Sequence, residues 1–212
     1  MSAGCFITLE GGEGAGKTTQ QRLLVEAIRL TGREAVATRE PGGAPAAEAI
    51  RALLVTGAAD RWHPLTETLL HVAARHEHVV RTIRPALERG AIVVCDRFFD
   101  STMAYQGYGQ GVARETIEAI HATVLGTLSP DLTVILDIPV EVGLARAAHR
   151  GDGRTRYEAM TPDFHQRLRD GFLDIARREP GRCVVVDATR PPEFVHRDVR
   201  KAASARLRIA GL

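Results

Sequence analysis

The chain of 212 residues is 44% hydrophobic and carries 28 basic against 26 acidic residues, a formal charge of +2. That length and apolar content suffice for one substantial core, and the near-balanced charge sets up no dominant basic field toward nucleic acid or an anionic membrane. No apolar run approaches the roughly 18 residues of a spanning helix, no secretory leader is evident, and the scattered Cys5, Cys95 and Cys183 fit reduced thiols, so a cytoplasmic location is expected.

The run Cys5 to Glu10 reads as a strand. It leads into Gly11-Gly12-Glu13-Gly14-Ala15-Gly16-Lys17-Thr18, the pattern GxxxxGK[ST], and then into a helical pattern over Thr19 to Leu30. The glycines let the backbone curl with its N–H groups inward, and the helix start adds partial positive charge. Lys17 can then reach the β/γ-phosphates while Thr18 ligates Mg2+. Strand, loop and helix in that order point to a nucleoside-triphosphate site, against the bland alternative of a glycine-rich turn. The loop alone does not separate a kinase from a GTPase or a motor ATPase. The chain has no asparagine, which disfavours a guanine-reading NKxD motif, and only Lys17 and Lys201 are lysines, which makes Lys17 conspicuous.

Further strands are expected at Ala35 to Thr38, Ala91 to Asp96, Leu132 to Asp137 and Cys183 to Asp187. Helical periodicity runs over Leu65 to Glu88, Arg114 to Leu128 and Phe164 to Arg178. The alternation predicts an α/β P-loop NTPase fold, a five-stranded parallel sheet flanked by helices on both faces, within one domain spanning 1–212. The Gly- and Arg-rich stretch His149 to Arg156 reads as a mobile loop. Asp96, Asp137 and Asp187 each close a strand, where the ligand crevice of an open α/β sheet lies. Asp96 suits Mg2+ held partly through water, and the following Arg97 suits a bidentate grip on an acceptor phosphate. A structural Asp-Arg pair is the alternative for that motif by itself. His63, His76, His78 and His149 lack metal-ligand spacing, although His71, Arg75 and His78 share a helical face. The basic tail Arg197 to Arg208 reads as a solvated helix face rather than a nucleic-acid contact.

After Arg97 the chain runs Phe98-Phe99-Asp100-Ser101-Thr102-Met103-Ala104-Tyr105-Gln106-Gly107. Together with Thr38-Arg39-Glu40-Pro41-Gly42-Gly43, Leu69-Leu70, Ala73-Ala74-Arg75, Pro130-Asp131-Leu132-Thr133 and Asp187-Ala188-Thr189, this resembles the thymidylate kinase family over nearly the whole chain. The resemblance implies ATP-dependent phosphorylation of dTMP to dTDP with Mg2+. It also implies a homodimer, for which Leu65 to Leu87 and Arg114 to Leu128 are the candidate surfaces. Arg97 and Arg75 would bind the monophosphate, and Arg51, Glu40 and Pro41 would shape the acceptor pocket, with a solvated helix face also open for Arg51. Ser101, Thr102 and Gln106 would face thymine, and Tyr105 and Glu13 the deoxyribose. Where the family has Phe four residues before Arg75, His71 stands here. A neutral imidazole can stack on the base but offers less apolar area and gains charge near an ordinary pKa of about 6.5.

The segment containing Arg146, Arg150, Gly151, Arg154, Arg156, Tyr157 and Glu158 resembles the family's lid, at about 149–158. Glu13-Gly14-Ala15, without arginine, fits the variant that takes its catalytic arginine from that lid. Lys17, Asp96, Arg97, Arg150 and Arg156 are therefore the catalytic candidates, and the loop with Thr19 and Arg146 the ATP-binding ones. The rivals are a P-loop kinase of another nucleotide or small phosphorylated acceptor, and a nucleotide-dependent switch or partition ATPase. Two acceptor-side arginines suit an acceptor that already carries phosphate and have no purpose in a switch.

Overall fold

The computed structural model describes residues 4–149, 155–207 and 211–212. Its strands are β1 (Cys5–Glu10), β2 (Ala35–Arg39), β3 (Ile92–Asp96), β4 (Leu132–Asp137) and β5 (Cys183–Asp187). They form one parallel sheet in the order β2-β3-β1-β4-β5. Each matches its expected run to within one residue. β1, β3 and β4 are buried on both faces, which is why their sequences read as continuous apolar runs instead of alternating ones.

Successive residues of each strand supply opposite cores. On one face Ile7, Leu9, Val94 and Val134 meet Leu24 and Ile28 of α1 (Lys17–Leu30) and Val195 and Val199 of α9 (Pro192–Leu207). On the other, Phe6, Val93 and Cys95 pack with Val79, Ile83 and Phe98. Ile135 joins Tyr105, Phe164, Leu168 and Phe172 there, the last three from α8 (Pro162–Arg178). The side chain of Thr161 caps α8 by accepting the Phe164 N–H at 3.3 Å, with Pro162 in the first turn.

The long helical pattern from Leu65 to Glu88 is continuous but not uniform. α3 (Pro64–His78) passes into a wide π-helical turn over Val79–Ile83 and then α4 (Arg84–Glu88). Pro85 has no N–H for the Arg81 carbonyl and its ring crowds that oxygen, so the helix widens just before it. A second π-helical stretch, Met103–Gly109, continues α5 (Phe99–Thr102), where periodicity gave no helix. Two further helices lie outside the named periodic runs, α2 (Pro45–Val55), which carries Arg51, and α7 (Val140–Ala148), which precedes the His149 to Arg156 stretch. α6 (Arg114–Leu125) ends short of the expected Leu128 because Gly126 takes a left-handed φ of 65°. Cys95 and Cys183 are buried, and Cys5 is half-buried. Among the described residues no helix is long and apolar enough to cross a membrane.

Candidate active site

The phosphate loop turns from the central strand into α1. Its backbone is seated directly on α7. A Cβ on Gly14 would lie 2.0 Å from the Gly143 carbonyl oxygen, and a Cβ on Gly143 only 2.4 Å from the Glu13 carbonyl oxygen. Lys17 is 7% exposed and donates to the carbonyls of Gly11 (3.1 Å) and Gly12 (2.7 Å). Burial and the Arg97 charge bring its ammonium down to about 8. Thr18 Oγ1 donates to Asp96 Oδ2 at 2.7 Å at the exposed mouth of the loop, and this pair of hard oxygen ligands fits Mg2+. Thr19 is exposed on the first turn of α1.

Arg97 leaves β3 in a left-handed conformation, φ 71°, unusual for a residue with a side chain. This turns its guanidinium back onto the loop, where it donates to the Gly11 carbonyl (3.1 Å), Glu13 Oε1 (3.1 Å) and Ser101 Oγ (3.2 Å). It also lies 5.0 Å from the Tyr105 ring centroid, and the Tyr105 hydroxyl donates to Glu13 Oε1 at 2.6 Å. Burial alone would raise the Glu13 carboxyl, but Arg97, Lys17 and the Tyr105 hydroxyl outweigh it and hold the group at about 2.

Glu10, which sequence reasoning passed over, supports this turn. Fully buried, it accepts the Phe98 N–H (2.7 Å) and the Ser101 hydroxyl (2.6 Å). Burial and the nearby Asp100 push its carboxyl up to about 8. Ser101 was expected at thymine; its hydroxyl instead bridges Glu10 and Arg97. Asp100 is in turn clamped by Arg182 through two 2.7 Å bonds. A signal was available, since Glu10 ends a strand just as Asp96 does. The other strand-end acids have local partners. Asp137 takes two bonds from Arg169 at 2.7 and 2.9 Å, and Asp187 takes the N–H and hydroxyl of Thr189 at 2.9 and 2.6 Å.

Arg75 is 2% exposed. Its Nε donates to Glu40 Oε2 (2.7 Å), and its Nη2 to the Phe98 carbonyl (3.0 Å) and Thr102 Oγ1 (2.9 Å). Its Nη1 is buried with no partner. Glu40 also contacts His78 Nδ1 at 3.0 Å and precedes a cis peptide bond to Pro41. Arg51 is not a merely solvated face, because its Nη1 donates to the Pro41 carbonyl at 2.8 Å. His71 Nε2 lies 2.8 Å from the Tyr157 hydroxyl. Burial, then Arg75 and Arg156, lower its pKa to about 3, so the imidazole stays neutral where an ordinary histidine would begin to charge. Gln106 Nε2 donates to Glu67 Oε1 at 2.7 Å.

Arg156 is placed differently from the expectation of a catalytic lid cation. It is 2% exposed, donates to the carbonyls of Leu54 (3.0 Å) and Ala59 (2.8 Å), and forms a salt bridge with the buried Glu67. Arg150, Gly151 and Arg154 lie outside the described residues. Arg146 donates to the carbonyls of Ala188 (2.8 Å) and Thr189 (3.0 Å), tying α7 to the end of β5. Every residue expected on the acceptor side lines one pocket: Glu13, Glu40, Pro41, Arg51, His71, Arg75, Arg97, Ser101, Thr102, Tyr105 and Gln106. Val55, Phe98, Thr155 and Tyr157 complete it. Through Glu13 and Arg97 that pocket adjoins the phosphate loop.

Comparison with known proteins gives the same picture. The family model described as thymidylate kinase matches residues 9–199. The thymidylate kinase of Caulobacter vibrioides is 58% identical over 188 residues, covering 89% of this chain and 90% of that protein. That of Ruegeria pomeroyi is 47% identical over 196 residues, covering 92% of each. Among solved structures, thymidylate kinase from Ehrlichia chaffeensis superposes with a TM-score of 0.77 at 38% identity, covering 94% of this chain and 98% of that one.

Proposed function

Because this chain belongs to the thymidylate kinase family and phosphorylates dTMP to dTDP with ATP, we propose that two arginines at opposite ends of one pocket hold opposite ends of dTMP. The observation that carries this is the difference in their partners. Arg97 is bonded to Gly11 and Glu13 of the phosphate loop. None of the partners of Arg75, namely Glu40, Phe98 and Thr102, belongs to that loop. Arg97 then holds the acceptor monophosphate next to the transferring group. Arg75, expected from the sequence to share that phosphate, turns its unpartnered Nη1 toward a carbonyl oxygen of the base. Tyr105 and Glu13, joined by a 2.6 Å bond between them, meet the deoxyribose, and neutral His71 stacks on thymine.

Transfer of the γ-phosphoryl group needs positioning and neutralisation of charge more than covalent chemistry by the protein. The loop N–H groups and Lys17 hold the ATP phosphates, with Thr19 and Arg146 also on the ATP side. Thr18 and Asp96 are the residues that would hold Mg2+, which when bound neutralises charge on the ATP oxygens. The loop has no arginine, which supports the variant whose catalytic cation comes from a lid at about 149–158. With Arg156 committed to Glu67, that role falls to Arg150. We further propose that residues 1–212 act as one kinase domain in the cytoplasm. A homodimer is supported by the exposed Leu65, Leu69 and Val80 along α3 and the turn after it.

The test is an acceptor panel of dTMP, dUMP, CMP, GMP and thymidine with Arg97→Ala and Arg75→Ala. Arg97→Ala should raise KM for every monophosphate alike, whereas Arg75→Ala should mainly erode the preference for dTMP. Equal losses across the panel for both variants would contradict the division.

A further inference from the structure

We propose that Glu67, which does not itself line the acceptor pocket, decides which base that pocket takes by fixing the orientation of the Gln106 amide. Glu67 sits on α3 with none of its surface exposed. Four donors converge on its carboxylate. Gln106 Nε2 (2.7 Å), Gln110 Nε2 (2.9 Å) and the Tyr157 hydroxyl (3.1 Å) reach Oε1, and the Arg156 guanidinium reaches Oε2. A carboxylate among donors accepts hydrogen bonds only, so the end of the Gln106 side chain that faces it has to be the NH2 group. The amide is planar, and its carbonyl oxygen is therefore turned the other way. Gln106 lines the pocket, and among the described residues no donor is bonded to its Oε1.

Arg75 lines the same pocket, and its Nη1 is buried, without a partner and able only to donate. The base end of the pocket thus offers one acceptor and one donor. Thymine presents the complement, a ring N–H next to a carbonyl oxygen. A cytosine ring presents a bare ring nitrogen next to an amino group, which sets acceptor against acceptor and donor against donor. Leaving buried polar groups unpaired in this way discriminates far more strongly than a missing methyl group. An amide free to rotate would relieve half of the mismatch by turning its NH2 to the ring nitrogen, and Glu67 prevents that rotation. Glu67 is in this sense a positioning residue for specificity. The inference rests on the proposal that Arg75 meets the base and on the sequence expectation that Gln106 does so too.

The experiment compares kcat/KM for dTMP and for 5-methyl-dCMP, which share methyl group, sugar and phosphate. In Glu67→Gln the new amide can face Gln106 with either end, and the dTMP over 5-methyl-dCMP ratio should fall at least about tenfold. The exchanged pair Glu67→Gln with Gln106→Glu again aims an oxygen at the base and should bring the ratio back to within about threefold of wild type. Loosened packing would instead lower both acceptors together, and an unchanged ratio in Glu67→Gln overturns the proposal. Should Glu67→Gln alone fail to fold, the exchanged pair decides, since loss of thymine preference there also overturns it. Gln106→Leu separates the two levels of inference. If it collapses the ratio while Glu67→Gln does not, only the role of Glu67 fails. If it too leaves the ratio unchanged, Gln106 does not read the base and both fail.

Discussion

Replacing Gly143 by Ala would place a methyl group 2.4 Å from the Glu13 carbonyl oxygen. Relief of that contact needs roughly 0.6 to 1 Å of movement between α7 and the phosphate loop. Alanine in a helix is favoured over glycine by about 1 kcal/mol, while overpacking costs about 1–3 kcal/mol. The net loss of stability is therefore small, between about 0 and 2 kcal/mol. Function should suffer far more, because the loop N–H groups must stay in register with the ATP phosphates, and misplacement by about 1 Å costs on the order of 10²-fold. We expect kcat/KM for ATP in Gly143→Ala to fall roughly a hundredfold, with a smaller change in KM for dTMP. Urea unfolding of the same preparation should shift little. Gly181→Ala, which meets no heavy atom within 4 Å, is the control. An ATP kcat/KM at the wild-type level in Gly143→Ala would refute the idea that the loop is seated on α7.

Arg156→Ala removes one partner of an ion pair with no exposed surface on either side, so it should destabilise the fold by about 3–5 kcal/mol in urea unfolding. Arg150→Ala should leave the unfolding midpoint in place while lowering kcat on the order of 10³-fold, and the reverse pattern would return the catalytic role to Arg156. His71 has a folded pKa of about 3 against an ordinary 6.5. The unfolded chain therefore binds the extra proton as pH falls through that window, and stability drops with it. His71→Phe removes this term, so its stability relative to wild type should improve by about 2 kcal/mol between pH 7.5 and pH 5, and parallel pH curves would argue against a neutral, half-buried imidazole. Asp96→Asn should raise the Mg2+ concentration needed for half-maximal rate by about tenfold or more at saturating ATP, as followed by titration with MgCl2.

The sheet was legible because its strands are buried on both faces and so stand out as runs such as Val93-Val94-Cys95 and Val134-Ile135-Leu136. The phosphate loop was legible because its chemistry is local, contained in eight consecutive residues. What sequence did not disclose depends on partners distant along the chain. Glu67 and Arg156 are 89 residues apart, and nothing near either announces a buried salt bridge; the arginine read instead as a catalytic lid cation. Ser101 looked like a base contact because its type suits one, yet Glu10, 91 residues earlier, takes its hydroxyl. Gly143 was invisible for a different reason. In a helical pattern a glycine looks like a weak point, and only the approach of the Glu13 backbone shows what the missing side chain permits. Periodicity assumes a constant number of residues per turn, so it read straight through the widened turn at Val79–Ile83 and gave no helix at Met103–Gly109.

The scarcity of lysine has a practical consequence for following this enzyme. Lys17 and Lys201 are the chain's lysines, and burial and the Arg97 charge bring the Lys17 amine to about 8. At mildly alkaline pH a substantial fraction is an uncharged amine, the form that attacks acylating reagents. An acyl phosphate carried on a nucleotide would deliver its electrophile to that nitrogen, and peptide mass analysis would separate the adduct from any on Lys201. Protection of Lys17 by ATP then becomes a direct occupancy signal for the donor site. That signal would remain readable in variants too slow for any turnover assay.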